Sequence, residues 1–475
     1  MRSLTSLAAM SCALLLGAAA CTGGEPPPDT ITKRITVWTE QGDRANIAAT
    51  EKIIHDFEQA TGIGVRLLPV HRSSLHRLLR SASPSPDRPD VVGRLPLATL
   101  QVLATRDMVD TDAVGEVMDD LGKDTFQPHA LALTSHGDDQ IGIPSDVWVQ
   151  LIVYRKDLFA KAKLPVPDSL NKMLKAARSL DAGKRAGIAL PTAADDPSTE
   201  QTFEFFALAN GCDLLDGDGD VALDSSSCVA TFRYYAKLAK TSPRRGTQTG
   251  ESARDAYLAG KAAVVPWSSA ILDDLAGLDS KALPTCPKCR HHPAYLAKNS
   301  GVVSAVRGPH GNKPVQYGDI ASWTILNGAD TEAAKSFVTY MMDDGYRRLL
   351  DVAPAVRIPA REGTDHDPRA FLNAWAGLKT GANHRTSLSQ VYAPTVLDLL
   401  RSSSSNLTRW GLSPRRGTYA SAVLDELPVS GAVNAAVEGR VNAASAAQRA
   451  TEDVDSKERA LSPSPGPSTT PSPGG

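Results

Sequence analysis

The chain has 475 residues, 42% of them hydrophobic and 22% charged, a soluble globular composition too long for one ordinary core, so two or more lobes are expected. The formal net charge of −2 excludes a strong electrostatic pull toward nucleic acid or an anionic lipid surface.

The N-terminus reads as an export signal. Arg2 supplies a positive start, and an apolar run rich in Ala and Leu extends from Leu4 to Ala20, ending in Ala18-Ala19-Ala20-Cys21. Small residues before the cut fit a signal peptide. The cysteine directly after them resembles the acceptor of a bacterial lipobox, with Ala18 where leucine is usual. Residues 1–20 are therefore read as a lipoprotein signal, and Cys21 as the lipidated residue. The protein is expected on the outer face of the bacterial cytoplasmic membrane, with an ordinary secretory cut nearby as the alternative. A spanning helix is disfavoured, because the run falls short of the roughly 20 residues a bilayer requires. Cys12 leaves with the signal, so Cys212, Cys228, Cys286 and Cys289 remain. An even number in an oxidising compartment implies two disulfides. Sequence order favours Cys212–Cys228 and Cys286–Cys289, among three possible connectivities.

Residues 21–32 carry the anchor and a Gly/Pro-rich linker. Ile35-Thr36-Val37-Trp38 is a short β-prone run. Ile47, Ile53, Ile54 and Phe57 follow at helical spacing, Gly62 closes that helix, and Val65 to Val70 is a second strand. This β-α-β order implies a parallel sheet covered by helices. Asp90-Val91-Val92 is another strand candidate. Residues 168–180 form a helix capped by Asp168 or Ser169. Cys228, Phe232, Tyr235 and Ala239 line one helix face, as do Ala334, Phe337, Val338 and Met341. Residues 461–475, rich in Pro and Ser, cannot bury apolar surface and are expected to be disordered.

Taken in order, several segments resemble the family 1 extracellular solute-binding proteins, which include maltose- and oligosaccharide-binding lipoproteins. They are ITVWTEQGD (35–43) with FEQATGIGVRL (57–67), IGIPSDVWVQLIVYRKDLFAKAKLPVPDSLNKMLKAARSL (141–180), NGCDLLDGDGDVALDSSSCVATFRYYAKL (210–238), YLAGKAAVVPWSS (257–269) and GDIASWTILNGADTEAAKSFVTYMM (318–342). The resemblance implies an α/β, two-lobed type II periplasmic-binding-protein fold whose hinge the chain crosses more than once. Lobe 1 would comprise 33–143 and 319–352, and lobe 2 would comprise 144–318 and 353–460. It also implies a monomer that binds a sugar without any cofactor and is recognised, when closed, by the permease subunits of an ABC importer.

A sugar ring has apolar faces and a rim of hydroxyls, so it requires aromatic planes and a few polar groups. Trp38, Trp148, Trp267 and Trp323 fall at presumed strand ends, where α/β lobes place ligands. Trp267 matches the position of the family's cleft tryptophan, and core packing is the alternative for each of the four. Gly42-Asp43-Arg44 resembles a sugar-binding turn of the maltose-binding branch. Asp43 has helix capping as its alternative, and Glu40 and Gln41 are equally placed to reach a cleft. Tyr392 resembles a cleft aromatic, with burial as its alternative. Where the maltose-binding branch carries an aromatic and an Asp-Arg pair, this chain reads Gly93-Arg94-Leu95-Pro96, so the acidic contact is missing.

Asp216-Gly217-Asp218-Gly219-Asp220 has Val221 and Ser227 where a calcium loop requires Gly and Glu, so it reads as a turn and not as a metal site. Cys286-Pro-Lys-Cys289 has no second such pair and reads as a local disulfide, not as zinc. There is no G-x-S-x-G elbow, HExxH or phosphate loop, so no catalytic residue is assigned. An exported carbohydrate hydrolase, a binder of a non-sugar solute and a surface sensor remain as alternative readings.

Overall fold

The computed structural model describes residues 31, 33–40, 44–71, 88–243, 247–411 and 417–461. The signal, Cys21, the linker up to residue 30, Gln41, Asp43 and the tail from 462 lie outside the described residues, as does the side chain of Arg44. No helix among the described residues is long and apolar enough to cross a membrane.

The expected β-α-β unit is present. Strand β1 (Lys33–Glu40) leads through helix α1 (Arg44–Thr61) to β2 (Ile63–Val70), and the strands pair in parallel with Val37 opposite Leu67. Gly62, at φ +70°, turns the chain out of α1, a conformation without penalty only for glycine. Strand β3 (Val91–Leu95) pairs in parallel with β1 on the other side, and α2 (Leu97–Thr105) follows it. The helix expected over 168–180 runs Leu170–Leu180 with Ser169 as its N-cap.

Two long strands organise the rest. Strand β4 (Ile143–Arg155) carries Val147–Val149 against β7 (Val315–Ile325), and its later residues pair with β5 (Val264–Ser268) and β6 (Ser300–Val303). Strand β7 also pairs antiparallel with β3. A single mixed sheet thus runs through the molecule, and β4 and β7 pass from one hydrophobic core to the other. The first core gathers Ile35, Phe57, Val91, Trp323 and Phe337, and the second gathers Ile152, Phe203, Phe206, Phe232 and Tyr235. On β4 the neighbours Leu151 and Ile152 belong to different cores, because successive strand residues point to opposite faces. Tyr257, Leu272, Cys286 and Tyr392 pack with the first core, although the sequence placed them in the second lobe.

Between β4 and β7 run helices α3 (Pro197–Ala209), α4 (Gly250–Leu258) and α5 (Ile271–Ala276); α3 packs in the second core, whereas α4 and α5 turn their buried residues to the first. The disulfides are Cys212–Cys228 and Cys286–Cys289, the pairing that sequence order favours. The Asp216 carboxylate accepts the backbone N–H groups of Asp218, Gly219 and Asp220 at 2.9–3.0 Å, so the Asp-Gly run is a self-satisfied turn. No cluster of His, Cys, Asp and Glu among the described residues is placed to hold a metal ion.

Candidate functional site

In an α/β lobe, ligands collect at the carboxyl ends of the strands, where helix N-termini also point. In the first half those ends are Glu40 of β1 and Arg94 of β3. Arg94 has φ +59°, a conformation costly for any residue with a Cβ. Its guanidinium pairs with Asp146 of β4 at 3.2 Å, and Ser145 Oγ donates to the same carboxylate. Asp146 is 2% exposed in this pair and Arg94 25%. The acid that pairs with Arg94 comes from another strand, and only the register brings it there.

In the second half, β5 ends at Trp267 and Ser268, both half-buried. The N-termini of α3 and α4 meet beside them. Asp196 Oδ1 accepts the N–H groups of Ser198 and Thr199, and its Oδ2 accepts the N–H of Gly250 at 2.9 Å, so one carboxylate caps both helices. A Cβ on Gly250 would lie 2.1 Å from Ser198 Oγ and 3.1 Å from the Trp267 ring, so only glycine fits there. The Arg254 guanidinium lies over the Trp267 ring, 5.4 Å from its centroid. Between the halves, Trp148 of β4 is half-buried and meets Tyr317 edge-on, centroids 6.2 Å apart.

The bacterial extracellular solute-binding protein family matches residues 52–365. The chain belongs to that family. The putative ABC transporter periplasmic-binding protein YcjN of Escherichia coli K12 is 30% identical over 329 residues, 66% of this chain and 70% of that protein. Among solved structures, a solute-binding protein of Agrobacterium radiobacter K84 in complex with ribitol aligns with TM-score 0.66 and 19% identity, covering 91% of this chain and all of that one. Maltose-bound MalE3 of T. maritima aligns with TM-score 0.66 and 20% identity over 89% of this chain and 99% of that one. The GacH receptor of Streptomyces glaucescens, solved unliganded and with acarbose, aligns with TM-score 0.64 and 16% identity over 90% and 98%. These likenesses establish the two-lobed α/β fold.

Within this solute-binding fold the expected site residues part company. Trp323 is 1% exposed and packs against Phe337. A Cβ on Gly93 would lie 2.2 Å from its ring, so the glycine makes room for a core tryptophan. Trp38, on the buried part of β1, is also a core residue. Tyr392 is buried, with its hydroxyl donating to the Leu272 carbonyl, and burial pushes that hydroxyl well above its usual pKa. Those three assignments are corrected to core. Trp148 and Trp267 keep accessible surface, but they do not form one wall. Trp267 pairs opposite Leu151, whereas Trp148 shares its face with Gln150, so the register turns the two indoles to opposite sides of the sheet. Glu40 is half-buried at the end of β1.

Sequence reasoning missed the group beneath Trp148. Arg409 joins Asp319 of β7 and Glu204 of α3, the latter at 3.1 Å, and lies 5.2 Å from the Tyr317 ring centroid. Tyr317 Oη donates to Glu204 at 2.8 Å, Trp410 N–H donates to Glu204 Oε1, and Leu97 N–H at the start of α2 donates to Asp319 Oδ1. These charges are shielded from water and compensate one another, with Arg409 Nε the one guanidinium nitrogen of the cluster left without a partner. Nothing local to Arg409 in the sequence announces them.

Proposed function

We propose that this protein captures a sugar or polyol between its two lobes and delivers it to the permease subunits of an ABC importer, held outside the cytoplasmic membrane by lipid on Cys21. One observation carries the reading. Strand β4, which carries Trp148, is met on one side by Arg94 of β3 through its ion pair with Asp146 and along its later residues by Trp267 and Ser268 of β5, paired with Leu151 and Gln150. Such a site grips a ligand by closure, and a ligand stabilises the closed form only by touching both sides. The names of the E. coli relative and of the ribitol, maltose and acarbose complexes support this choice of transport and of ligand class.

Arg94, a quarter exposed and held in place by the buried Asp146, offers a charge-assisted donor that orients a polyol hydroxyl. Gln41, Asp43 and Arg44, which follow β1 in the sequence, would add polar groups from the first lobe. Trp267 and Trp148 supply separate apolar contacts. The lobes meet where β4 and β7 pass between the cores, and closure bends those strands. Binding involves no covalent step. The test is calorimetric titration against ribitol, maltose and laminaribiose, with small-angle scattering on any pair that binds. Binding with a smaller radius of gyration is the expected result. Cleavage of an oligosaccharide, or binding without compaction, would count against capture by closure. Mass spectrometry of the membrane-extracted protein tests the lipid on Cys21.

A further inference from the structure

We propose that Arg254 is the positioning residue for Trp267, covering one face of the indole so that a sugar ring stacks only on the other; this rests on the reading of Trp267 as a ligand platform. Trp267 sits at the end of β5, where the chain leaves the sheet, and the residue opposite it, Leu151, points into the core. The ladder therefore fixes its backbone but not its ring.

Arg254, from α4, supplies what the ladder lacks. Its guanidinium lies 5.4 Å from the indole centroid, within the range of a cation–π contact. The guanidinium is itself held by two carboxylates, Asp255 at 3.2 Å and Asp274 of α5 at 3.7 Å. Asp274 is 8% exposed and Arg254 19%, so the cation is sheltered and its placement fixed. Gly250, the first residue of α4, lets Ser198 and the ring edge approach together. The ring is thus gripped on one face and one edge. An aromatic platform that is already ordered loses less entropy when a ligand arrives.

The test uses the full chain with R254Q, R254K and W267A, and compares R254Q and R254K each with a version also carrying W267F. The difference in near-UV circular dichroism between each pair isolates the Trp267 signal and requires no ligand. R254Q is expected to change that signal and R254K to retain it, because only the lysine keeps a cation over the ring. Affinity for ribitol, maltose or laminaribiose, whichever binds, should fall about 3- to 10-fold in R254Q and recover in R254K, without a matching fall in melting temperature. An unchanged Trp267 signal in R254Q, or no recovery in R254K, overturns the proposal. If W267A leaves sugar affinity intact, the platform reading falls and this inference with it. If W267A abolishes binding while R254Q binds as the parent does, only the role of Arg254 falls.

Discussion

Arg409 Nη2 lies 3.1 Å from Glu204 Oε2 across 205 residues of sequence, with side chains 5% and 1% exposed. The same guanidinium engages Asp319, whose other oxygen caps the start of α2. One arginine therefore ties together a helix of the second core, a linking strand and, through that strand, a helix of the first.

Removing the arginine alone would leave two carboxylates buried without a counter-charge. R409M is expected to cost about 3–5 kcal/mol. Neutralising the acids as well, in R409M/E204Q/D319N, should recover much of that loss, because the amides keep their acceptor oxygens. Urea denaturation of the single and triple variants checks this, and a triple variant weaker than R409M would contradict it.

Two neighbouring carboxyls of α5, Asp273 and Asp274, carry a pH signature. Burial pushes the Asp273 carboxyl up to about 6 and the Asp274 carboxyl up to about 7, against a smaller opposing pull from the Thr380 hydrogen bond and Arg254 respectively. Between pH 4 and 7 the folded protein holds protons that the unfolded chain has released, so their contribution to stability is fully present below about pH 4. It is lost as pH rises through 6 and 7. D274N, fixed in a neutral form, should flatten this limb by on the order of 1–3 kcal/mol. The difference between parent and D274N in urea midpoints from pH 4.5 to 7.5 reads it. A difference that does not change with pH would remove Asp274 as its source.

Gly93 and Trp323 form a complementary pair in the first core. G93A is expected to cost about 1–3 kcal/mol by overpacking, and a smaller ring in G93A/W323F should restore part of it. Thermal melts of the two variants decide between this and an independent glycine effect.

The two disulfides should differ in weight. Cys212–Cys228 spans 16 residues and Cys286–Cys289 only 3. Cross-linking the longer loop removes more freedom from the unfolded chain, about 3 kcal/mol against about 1.5. C212S/C228S should therefore melt lower than C286S/C289S, and the reverse order would argue that strain or packing outweighs loop entropy.

Under sugar titration, W148A is expected to weaken binding about tenfold. W323F, altered only in the core, should lower stability and leave affinity near that of the parent. Calorimetry beside thermal melting separates the two.

The amino-acid sequence by itself determined the class of fold. The β-prone run at Ile35–Trp38, the helical spacing of Ile53, Ile54 and Phe57, Gly62 and the strand to Val70 form a local unit whose pattern depends on neighbours within a few residues. The same local logic gave Ser169 its capping role and the Asp216 turn its self-satisfied carboxylate. Which tryptophans are open to a ligand was decided only in three dimensions. Trp38, Trp148, Trp267 and Trp323 all stand on strands, and a strand residue's fate depends on which face it takes and what packs there. Glycine at position 93 seals Trp323 in, and the pairing of Trp267 with Leu151 turns it away from Trp148. The Arg94–Asp146 and Arg409–Glu204 pairs lie 52 and 205 residues apart in sequence. Charges that distant meet only after the sheet has fixed its register, so no spacing rule along the chain could place them together.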